Sequence, residues 1–295
     1  MRSSDTGGAE ATVSPRHQQL IVTIYGLYAR EEGVSLPVAA LVRLMGDLGV
    51  EAAGVRSSVS RLKRRGVLES RRNDGVATYA ISAGSVQMFA EGDTRIFAPV
   101  RATIEDKWLL AVFSIPESIR AKRHVLRSEL TRLGYGSVTP GVWIAPAKSW
   151  KQTRVQLRRL GLEQYVDFFS ADHLGAGELY TKVAAWWDLD ALDRMYADFV
   201  ERYDGLLSRW QTRLAQSAAA GTDNTANAAN MKDAFTDYVP MFTEWRRLPY
   251  LDPGLPLEYL PADWNGVSAE ALFGSLHSLL GPLAHGYVAG TIHQK

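Results

Sequence analysis

The spacing of apolar residues along this chain changes three times, and each change limits what the chain can fold into. Up to about residue 66, apolar side chains recur every three or four positions, which predicts helices. Two strands follow within residues 67–81, and strands then alternate with helices over residues 106–181. A helical pattern returns at about residue 185. This succession predicts a multidomain α+β protein.

The N-terminal pattern consists of three helices followed by a hairpin. The first two apolar stripes are Leu20, Ile21, Ile24, Leu27 and Tyr28, and then Leu41, Leu44, Met45 and Leu48. A third helix is expected from about Ala52 to Arg65, because Gly66 is a common kind of helix terminator. Strands at 67–71 and 76–81 flank Asn73-Asp74-Gly75, a turn whose residues tolerate positive φ. This order predicts a winged helix-turn-helix.

The central pattern follows the order βαββαβ. Residues 108–113 form an almost continuous apolar run, which predicts a buried strand. Two helices are expected at about 119–133 and 150–160, and the other strands at 136–138, 141–145 and 165–169. The order is that of a ferredoxin-like fold.

The C-terminal pattern is helical. Asp188 can cap a long helix whose apolar stripe extends to Trp210, and a final helix is expected over residues 272–283. The Ala/Asn/Thr-rich stretch from Gln216 to Asn230 is of low complexity and predicts a mobile loop between helices. The expected segments are a disordered tail (1–14), a winged-helix DNA-binding domain (15–92), a ferredoxin-like domain (93–181) and a helical C-terminal domain (182–295).

The third predicted helix carries the clearest chemical signal. Val55, Val59 and Leu62 fall on one face, so they are expected in the core. The opposite face carries Ser57, Ser60, Arg61 and Arg64, and Arg56, Lys63 and Arg65 flank it. Between Glu51 and Arg72 there are seven bases and two acids. Arginine can donate two hydrogen bonds to guanine, and flanking bases neutralise phosphates, so this helix suits a DNA major groove.

The predicted hairpin extends the basic surface. Arg71 and Arg72 stand near its tip, where a wing would meet the DNA backbone or the minor groove. A solvated basic helix followed by an ordinary hairpin is the alternative explanation. The residues expected to bind double-stranded DNA are Arg56, Ser57, Ser60, Arg61, Lys63, Arg64, Arg71 and Arg72.

Composition limits the other classes of function. The 295 residues include no cysteine, which excludes thiolate metal sites and disulfides, and the net charge is only +1. No apolar run approaches the roughly 20 residues of a membrane span, and the N-terminus lacks the apolar segment of a signal peptide. The six histidines match no metal or nucleophile motif. We therefore expect a cytoplasmic protein that is not an enzyme, with no catalytic residues, metal or cofactor.

Two segments resemble one known family. The run from Val55 to Gly66 (VRSSVSRLKRRG) is similar to the recognition helix of the PaaX family, bacterial repressors of phenylacetate catabolism. The run from Trp245 to Pro256 (WRRLPYLDPGLP), followed by Leu260-Pro261-Ala262-Asp263-Trp264, resembles the most distinctive signature of that family. The resemblance covers nearly the whole chain. It implies a winged helix, a ferredoxin-like middle domain and a helical C-terminal domain, with phenylacetyl-CoA or a related aryl-CoA thioester as inducer.

Several features bear on an effector without fixing its site. Two basic clusters could hold CoA phosphates or be solvated helix faces: Lys122, Arg123 and Arg127, and Lys151, Arg154 and Arg158. Trp143, Trp186 and Trp187 could contact an aryl ring or belong to the core. The proline-rich signature is expected to be structural, an extended path held to the helices by Tyr250, Leu251 and Leu255, and direct contact with a ligand is the alternative. The effector-binding residues stay unknown at this point, and a homodimer is expected because two-fold symmetry doubles the DNA interface.

Two other classes of function stay open. The central segment resembles small ferredoxin-like nucleases associated with CRISPR systems, which need a carboxylate at the end of the first strand to hold a metal ion. Here that strand ends Phe113-Ser114-Ile115-Pro116, which disfavours a nuclease. A DNA-binding adaptor without a small-molecule effector is the second alternative, and the sequence does not exclude it.

Overall fold

A computed structural model of the chain describes residues 13–30, 34–73, 75–175, 178–221 and 224–293. The N-terminal elements are α1 (Val13–Tyr28), β1 (Leu36–Pro37), α2 (Val38–Asp47), α3 (Ala52–Arg64), β2 (Leu68–Asn73), β3 (Val76–Ile81) and α4 (Ala83–Phe97). The tail predicted over residues 1–14 lies outside the described residues except for its last two, which begin α1.

The predicted apolar stripes form the buried sides of the first three helices. Ile21 and Ile24 of α1 and Leu41 of α2 have no exposed surface. Burying an aliphatic side chain of this size contributes about 1.5–3 kcal/mol, so the stripes hold the helices together. Tyr28 remains partly exposed. Gly66 follows α3 with a φ of 71°, a conformation that glycine adopts without the strain an L side chain would feel.

The predicted hairpin is present, with one addition. β2 and β3 pair antiparallel, with Leu68 opposite Ile81 and Asn73 opposite Val76. β1 joins on the other side of β3, which gives the strand order β1-β3-β2. Gly75 adopts a φ of 80° in the turn, as its position predicted, and Asp74 lies outside the described residues.

Helix α4 was not predicted from the sequence. Gly84 and Gly92 lower its intrinsic helix propensity, and Val86 is 53% exposed, so no clean apolar stripe marks it. Packing against α1 supports the helix instead. A Cβ atom at Gly26 of α1 would lie 3.2 Å from the Phe89 ring, so the small residue allows close approach of the two helices.

The central elements are β4 (Trp108–Phe113), α5 (Arg120–Arg132), β5 (Gly136–Thr139), β6 (Val142–Pro146), α6 (Trp150–Arg159) and β7 (Val166–Ala171). Their order is βαββαβ, as the pattern predicted. The four strands form an antiparallel sheet in the order β5-β6-β4-β7. Ala111 of β4, Leu126 of α5 and Leu157 of α6 are fully buried in one shared core, so both helices are anchored to the sheet.

The C-terminal elements are α7 (Leu179–Trp186), α8 (Leu189–Ala220), α9 (Asn224–Trp245), α10 (Leu248–Leu251) and α11 (Asn265–His293). The predicted cap is present, because the Ala191 amide donates a hydrogen bond of 3.1 Å to Asp188 Oδ1. None of the described helices is both long and apolar enough to cross a membrane.

The mobile loop predicted over residues 216–230 is wrong for most of its length. Helix α8 continues to Ala220 and α9 already begins at Asn224. Alanine is the strongest helix former, so the alanine-rich composition favours helix over loop. Arg213 also links the two helices, donating at 2.7 Å to Asn230 Oδ1 and at 2.7 Å to Asp233 Oδ2.

The proline-rich signature is less extended than predicted. Residues 248–251 form the short helix α10, with Pro249 near its start, where a missing amide N–H is tolerated. Leu255 is fully buried, as expected for a pinning residue. Leu251 is 46% exposed, so its predicted pinning role is wrong.

Tertiary contacts divide the chain into two compact units. The first unit comprises residues 1–94, 202–245 and 271–295, and the second unit comprises residues 95–201 and 246–270. Helices α8 and α11 therefore supply residues to both units. Within the first unit α9 packs on α1, where Thr243 donates a hydrogen bond of 2.8 Å to Thr23.

Candidate nucleic-acid interface

One side of α3 is fixed in the core of the first unit. Val55, Val59 and Leu62 are at most 3% exposed, as their spacing predicted. Ser58 is also fully buried, and its hydroxyl has no hydrogen-bond partner among the residues that the structure describes. The helix is therefore held rigidly, with a defined outer side.

The outer side of α3 carries the predicted polar and basic residues. Those exposed to solvent are Arg56, Ser57, Ser60, Lys63 and Arg64. Arg61 is half-buried, and its Nε is buried without a partner in the described part of the chain. Less of the Arg61 guanidinium is thus open to a ligand than the helical spacing suggested.

The exposed cations of α3 have no carboxylate partner in the part of the chain that the structure describes. Within the described ranges, Arg56, Lys63 and Arg64 make no hydrogen bond or ion pair with another residue. Arg65, at the end of the helix, donates to Gln18 Oε1 at 3.3 Å. Positive charge that lacks an internal partner is available to the phosphates of a nucleic acid.

The hairpin holds its two arginines differently. Arg71 lies opposite Thr78 and Arg72 lies opposite Ala77, so consecutive side chains point to opposite faces of the ribbon. Arg71 forms an ion pair of 2.9 Å with Glu69. Arg72 is exposed and has no such partner among the described residues.

One contact behind α3 was missed from the sequence. The ring of His17 of α1 lies over Gly54, and a Cβ atom at Gly54 would come within 3.2 Å of His17 Nδ1. Gly54 therefore allows α1 to close against the first turn of α3. The only signal in the sequence is a glycine inside a predicted helix, which often marks close packing.

The basic cluster on α5 is engaged within the second unit. Lys122 donates to the Tyr165 hydroxyl at 2.8 Å and lies 4.8 Å from the centre of that ring. Arg123 donates to the Ile115 carbonyl at 2.5 Å and pairs with Glu117 at 3.1 Å. Two of its three cations are thus bound to neighbouring groups.

The basic cluster on α6 is engaged in a similar way. Arg154 and Arg158 both bind Glu163, at 3.3 Å and 2.9 Å. The hydrogen bond from Arg158 is the main cause that lowers the pKa of Glu163 below its ordinary value. Lys151 is exposed and has no such bond to another described residue.

The paired tryptophans lie against the central sheet. Trp186 and Trp187 lie 6.3 Å and 6.2 Å from Trp108, measured between ring centroids. Trp187 donates to the Gly134 carbonyl at 3.0 Å, and a Cβ atom at Gly136 would lie 2.6 Å from its ring. This packing closes the β5 edge of the sheet.

No cluster of three histidine, aspartate or glutamate side chains within the described ranges is placed to hold a metal ion. The segment after β4, which includes Ser114, contains no carboxylate until Glu117.

Three family models match successive parts of the chain. The model described as PaaX-like protein matches residues 16–85, the PaaX protein central Cas2-like domain matches residues 101–183, and the PaaX-like protein C-terminal domain matches residues 187–290. A curated relative, the transcriptional repressor PaaX of Escherichia coli (strain K12), is 24% identical over 274 residues, which are 92% of this chain and 82% of the relative.

A solved structure has a similar fold. The uncharacterized protein Rv0674 from Mycobacterium tuberculosis aligns with a TM-score of 0.54 and 20% identity, over 93% of this chain and 98% of that one. At this level of identity the likeness concerns the fold alone.

Proposed function

The chain belongs to the PaaX family, and from this premise we propose that it is a sequence-specific DNA-binding repressor of genes for phenylacetate or related aromatic catabolism. The similarity to a transcriptional repressor supports a regulator rather than an enzyme. Such a regulator works in the cytoplasm, on double-stranded operator DNA.

One observation carries the proposal. The outer side of α3 presents exposed bases and serines, and no carboxylate among the described residues pairs with those bases, while the inner side is buried. Arginine and serine side chains can hydrogen-bond to base edges, and unneutralised lysine and arginine displace the counterions of DNA. A helix whose inner side is buried in the core and whose outer side is basic is suited to bind in a DNA major groove.

The arrangement of the N-terminal elements supports a winged helix-turn-helix. Helices α1, α2 and α3 precede the β2–β3 hairpin, and β1 completes a small sheet. In this proposal α3 is the recognition helix. Its base contacts come from Ser57, Ser60, Arg61 and Arg64, and its phosphate contacts come from Arg56 and Lys63.

The hairpin serves as the wing. We assign Arg71 and Arg72 to the DNA backbone, with Arg72 the stronger contact. Arg71 must first exchange its ion pair with Glu69 for a phosphate, whereas exposed Arg72 needs no such exchange. Contacts of this kind fix the orientation on DNA without reading sequence.

For the central domain we propose a ferredoxin-like fold with a role in assembly. The βαββαβ order and the strand order β5-β6-β4-β7 support that assignment. The nuclease alternative has little support, because the end of β4 offers no carboxylate for a metal ion.

The proposed assembly is a homodimer formed mainly by the central and C-terminal domains. Two-fold symmetry would place two α3 helices on half-sites about 10 base pairs apart, or a multiple of that spacing. Sedimentation of the protein alone and with DNA measures the assembly. A monomer at micromolar concentration that also binds DNA as a monomer would contradict the dimer.

The proposed signal is an aryl-CoA thioester, phenylacetyl-CoA first. By linkage, a ligand that weakens operator binding must itself bind the DNA-bound protein more weakly, and a tenfold shift corresponds to about 1.4 kcal/mol. A DNA-binding adaptor would lack this coupling.

Two measurements test the function. Selection from random duplexes should yield one preferred operator, whose affinity is then measured by fluorescence anisotropy. Adding phenylacetyl-CoA should release this operator, while free phenylacetate and free CoA should not. If the protein binds duplexes without any sequence preference, the proposal of a sequence-specific repressor is rejected. If no acyl-CoA releases the operator, the alternative of a DNA-binding adaptor without an effector is supported instead.

A further inference from the structure

Cations converge in the second unit around Tyr250, on the segment that follows α9. The Arg95 guanidinium carbon lies 5.3 Å from the centre of the Tyr250 ring, and Arg95 donates to Gln152 Oε1 at 2.5 Å. Arg246 interacts electrostatically with the same tyrosine. Burial lowers the pKa of Arg246, and the adjacent Arg247 lowers it further. The Arg95 guanidinium thus lies against the Tyr250 ring.

Lys148 lies against the same segment. Its ammonium group donates to the Val100 carbonyl, and it forms no ion pair with any carboxylate of the described residues. Gly254, at a φ of 64°, leaves room for it, because a Cβ atom there would lie 2.9 Å from Lys148 Nζ. Burial lowers the pKa of Lys148, and Arg101 and Arg95 add to that effect against the opposing pull of Asp252 and Asp106.

Two carboxylates of this part of the second unit, Asp252 and Glu270, already have a partner. Arg101 binds Asp252 at 2.7 Å and Glu270 at 3.2 Å. The Tyr196 hydroxyl and the Gly254 amide also donate to Asp252, at 2.9 Å and 2.7 Å. This group of bonds neutralises Arg101 and holds the signature segment in place, but it leaves Lys148 without a carboxylate of its own.

We propose that Arg95 and Lys148, beside the segment of Tyr250 and Gly254, form a site for the phosphate groups of a ligand, and that this ligand is a CoA thioester. The identity of the ligand rests on the proposed function. Guanidinium and ammonium groups are the side chains that bind phosphate most strongly. Holding like charges together in a partly buried place is unfavourable, and a bound phosphate relieves that repulsion.

Apolar surface adjoins these cations in the chain. Val100, whose carbonyl accepts from Lys148, is 72% exposed, and Leu251, next to Tyr250, is 46% exposed. A CoA thioester joins several phosphate charges to an apolar acyl group, so it can use both kinds of surface. A free inorganic phosphate uses only the cations.

The position of the site along the chain suggests how it acts. The chain enters the second unit at Arg95 and again at residue 246, and Tyr250 of the second entering segment lies against Arg95. A ligand bound at Arg95 and Lys148 therefore lies where these two entering segments meet. If it prefers one arrangement of these segments, it shifts the protein toward that arrangement without contacting α3.

The test compares two pairs of substitutions of equal charge. Arg95→Gln with Lys148→Gln removes two cations of the site. Lys151→Gln with Arg159→Gln removes two exposed cations of α6 in the same unit. Calorimetry measures the binding of phenylacetyl-CoA, adenosine 3′,5′-bisphosphate and pyrophosphate, and anisotropy measures operator binding without ligand.

The site variant should bind phenylacetyl-CoA and the bisphosphate about tenfold or more weakly than the unchanged protein, because each lost bond is to a charged group. The α6 variant should change by less than about twofold. Operator affinity without ligand should be unchanged in both. Arg95→Lys with Lys148→Arg, which keeps the charges, should recover most of the binding and thereby separates lost charge from damaged folding.

Each other outcome has a definite meaning. If the α6 variant weakens binding and the site variant does not, the phosphates bind α6 and the proposal is overturned. If phenylacetyl-CoA binds the site variant and releases its operator normally, the site is wrong and the proposed function stands. If bisphosphate binding depends on Arg95 and Lys148 but no acyl-CoA releases the operator, the site stands and the proposed effector is wrong. Binding of none of the three probes overturns the site.

Discussion

Helices α3 and α6 have nearly the same sequence character, but the fold uses their charges differently. Each buries one apolar side in its own unit, and each carries four basic residues. On α3, Arg56 and Lys63 have no bond to another described residue. On α6, Arg154 and Arg158 share Glu163. A basic helical pattern thus predicts a charged surface but does not say whether its charges are free.

The neighbours of the two helices explain the difference. The segment after α6 brings Glu163 back to the helix, and Trp150 lies 5.9 Å from the Arg154 guanidinium carbon and 5.0 Å from the Phe168 ring. The segment after α3 turns into the hairpin, and its first carboxylate, Glu69, pairs with Arg71 instead. Arg56, Lys63 and Arg64 on the outer side of α3 therefore have no bonded partner among the described residues and can turn toward a ligand.

The largest effects are expected from the buried sides, and they separate folding from binding. Leu62→Ala in α3 and Leu157→Ala in α6 each truncate a side chain at most 2% exposed, and each should lower the free energy of unfolding by about 2–5 kcal/mol. Urea denaturation measures this. Only Leu62→Ala should also weaken operator binding under conditions where both variants are folded. Equal loss of operator binding in Leu157→Ala would remove the distinction between the helices.

A smaller effect is expected from single arginines on the outer sides. Arg64→Ala should cost about 1–3 kcal/mol of operator affinity and relax the preference at one base position. Arg158→Ala should leave affinity within about twofold, because an exposed ion pair contributes little. Anisotropy with operators changed at one base pair measures both. An unchanged affinity and preference in Arg64→Ala would show that α3 does not lie in the groove.

The arginines of the hairpin should affect the salt dependence of DNA binding more than its sequence specificity. Replacing Arg71 and Arg72 together by alanine should flatten the dependence of log affinity on log salt by roughly two units, for all sequences alike. Arg72→Ala alone should account for more of the change, because Arg71 is already paired with Glu69. Lys151→Gln with Arg159→Gln is the control of equal charge. A loss confined to the specific operator would instead place the arginines at base edges.

The smallest effect concerns the ion pairs of α6. Hydrogen bonds from Arg158 and then Arg154 keep the pKa of Glu163 below its ordinary value, so Arg158→Ala should raise it. A lowered pKa means that the stabilisation is present above the ordinary pKa and is lost as pH falls through the lowered one. Carboxyl NMR titration measures the shift. A pKa that Arg158→Ala leaves unchanged would mean that the pair does not persist in solution.

Local signals explain which elements could be predicted. The ends of α3 and α6 followed from Gly66 and Gly161, which adopt positive φ of 71° and 64°. Helix α4 has no such signal, because its packing against α1 depends on Gly26, far away in sequence. Over residues 216–230 the low-complexity composition predicts a loop, whereas the helix propensity of its alanines favours the helices that the structure shows.

The candidate DNA-binding side shows the same limit at the level of single residues. The helical period alone predicted that Val55 is buried and Arg64 is exposed, because the side of a helix on which a residue lies depends only on the 3.6 residues per turn. It could not show that Arg61 is half-buried or that Arg71 is paired with Glu69. Both depend on side chains outside the helical repeat.

By itself the sequence determined the βαββαβ order of the central elements, the two sides of α3 and the family. Each of these features depends on residues that are close together along the chain. Only the tertiary structure decided which basic side chains are paired with carboxylates. It also decided to which of the two compact units each C-terminal helix contributes residues. Arg101 binds Asp252, 151 positions away, and Thr243 of α9 bonds to Thr23 of α1 across 220 positions. No local pattern specifies such partners, because packing brings them together only after the helices and strands have formed.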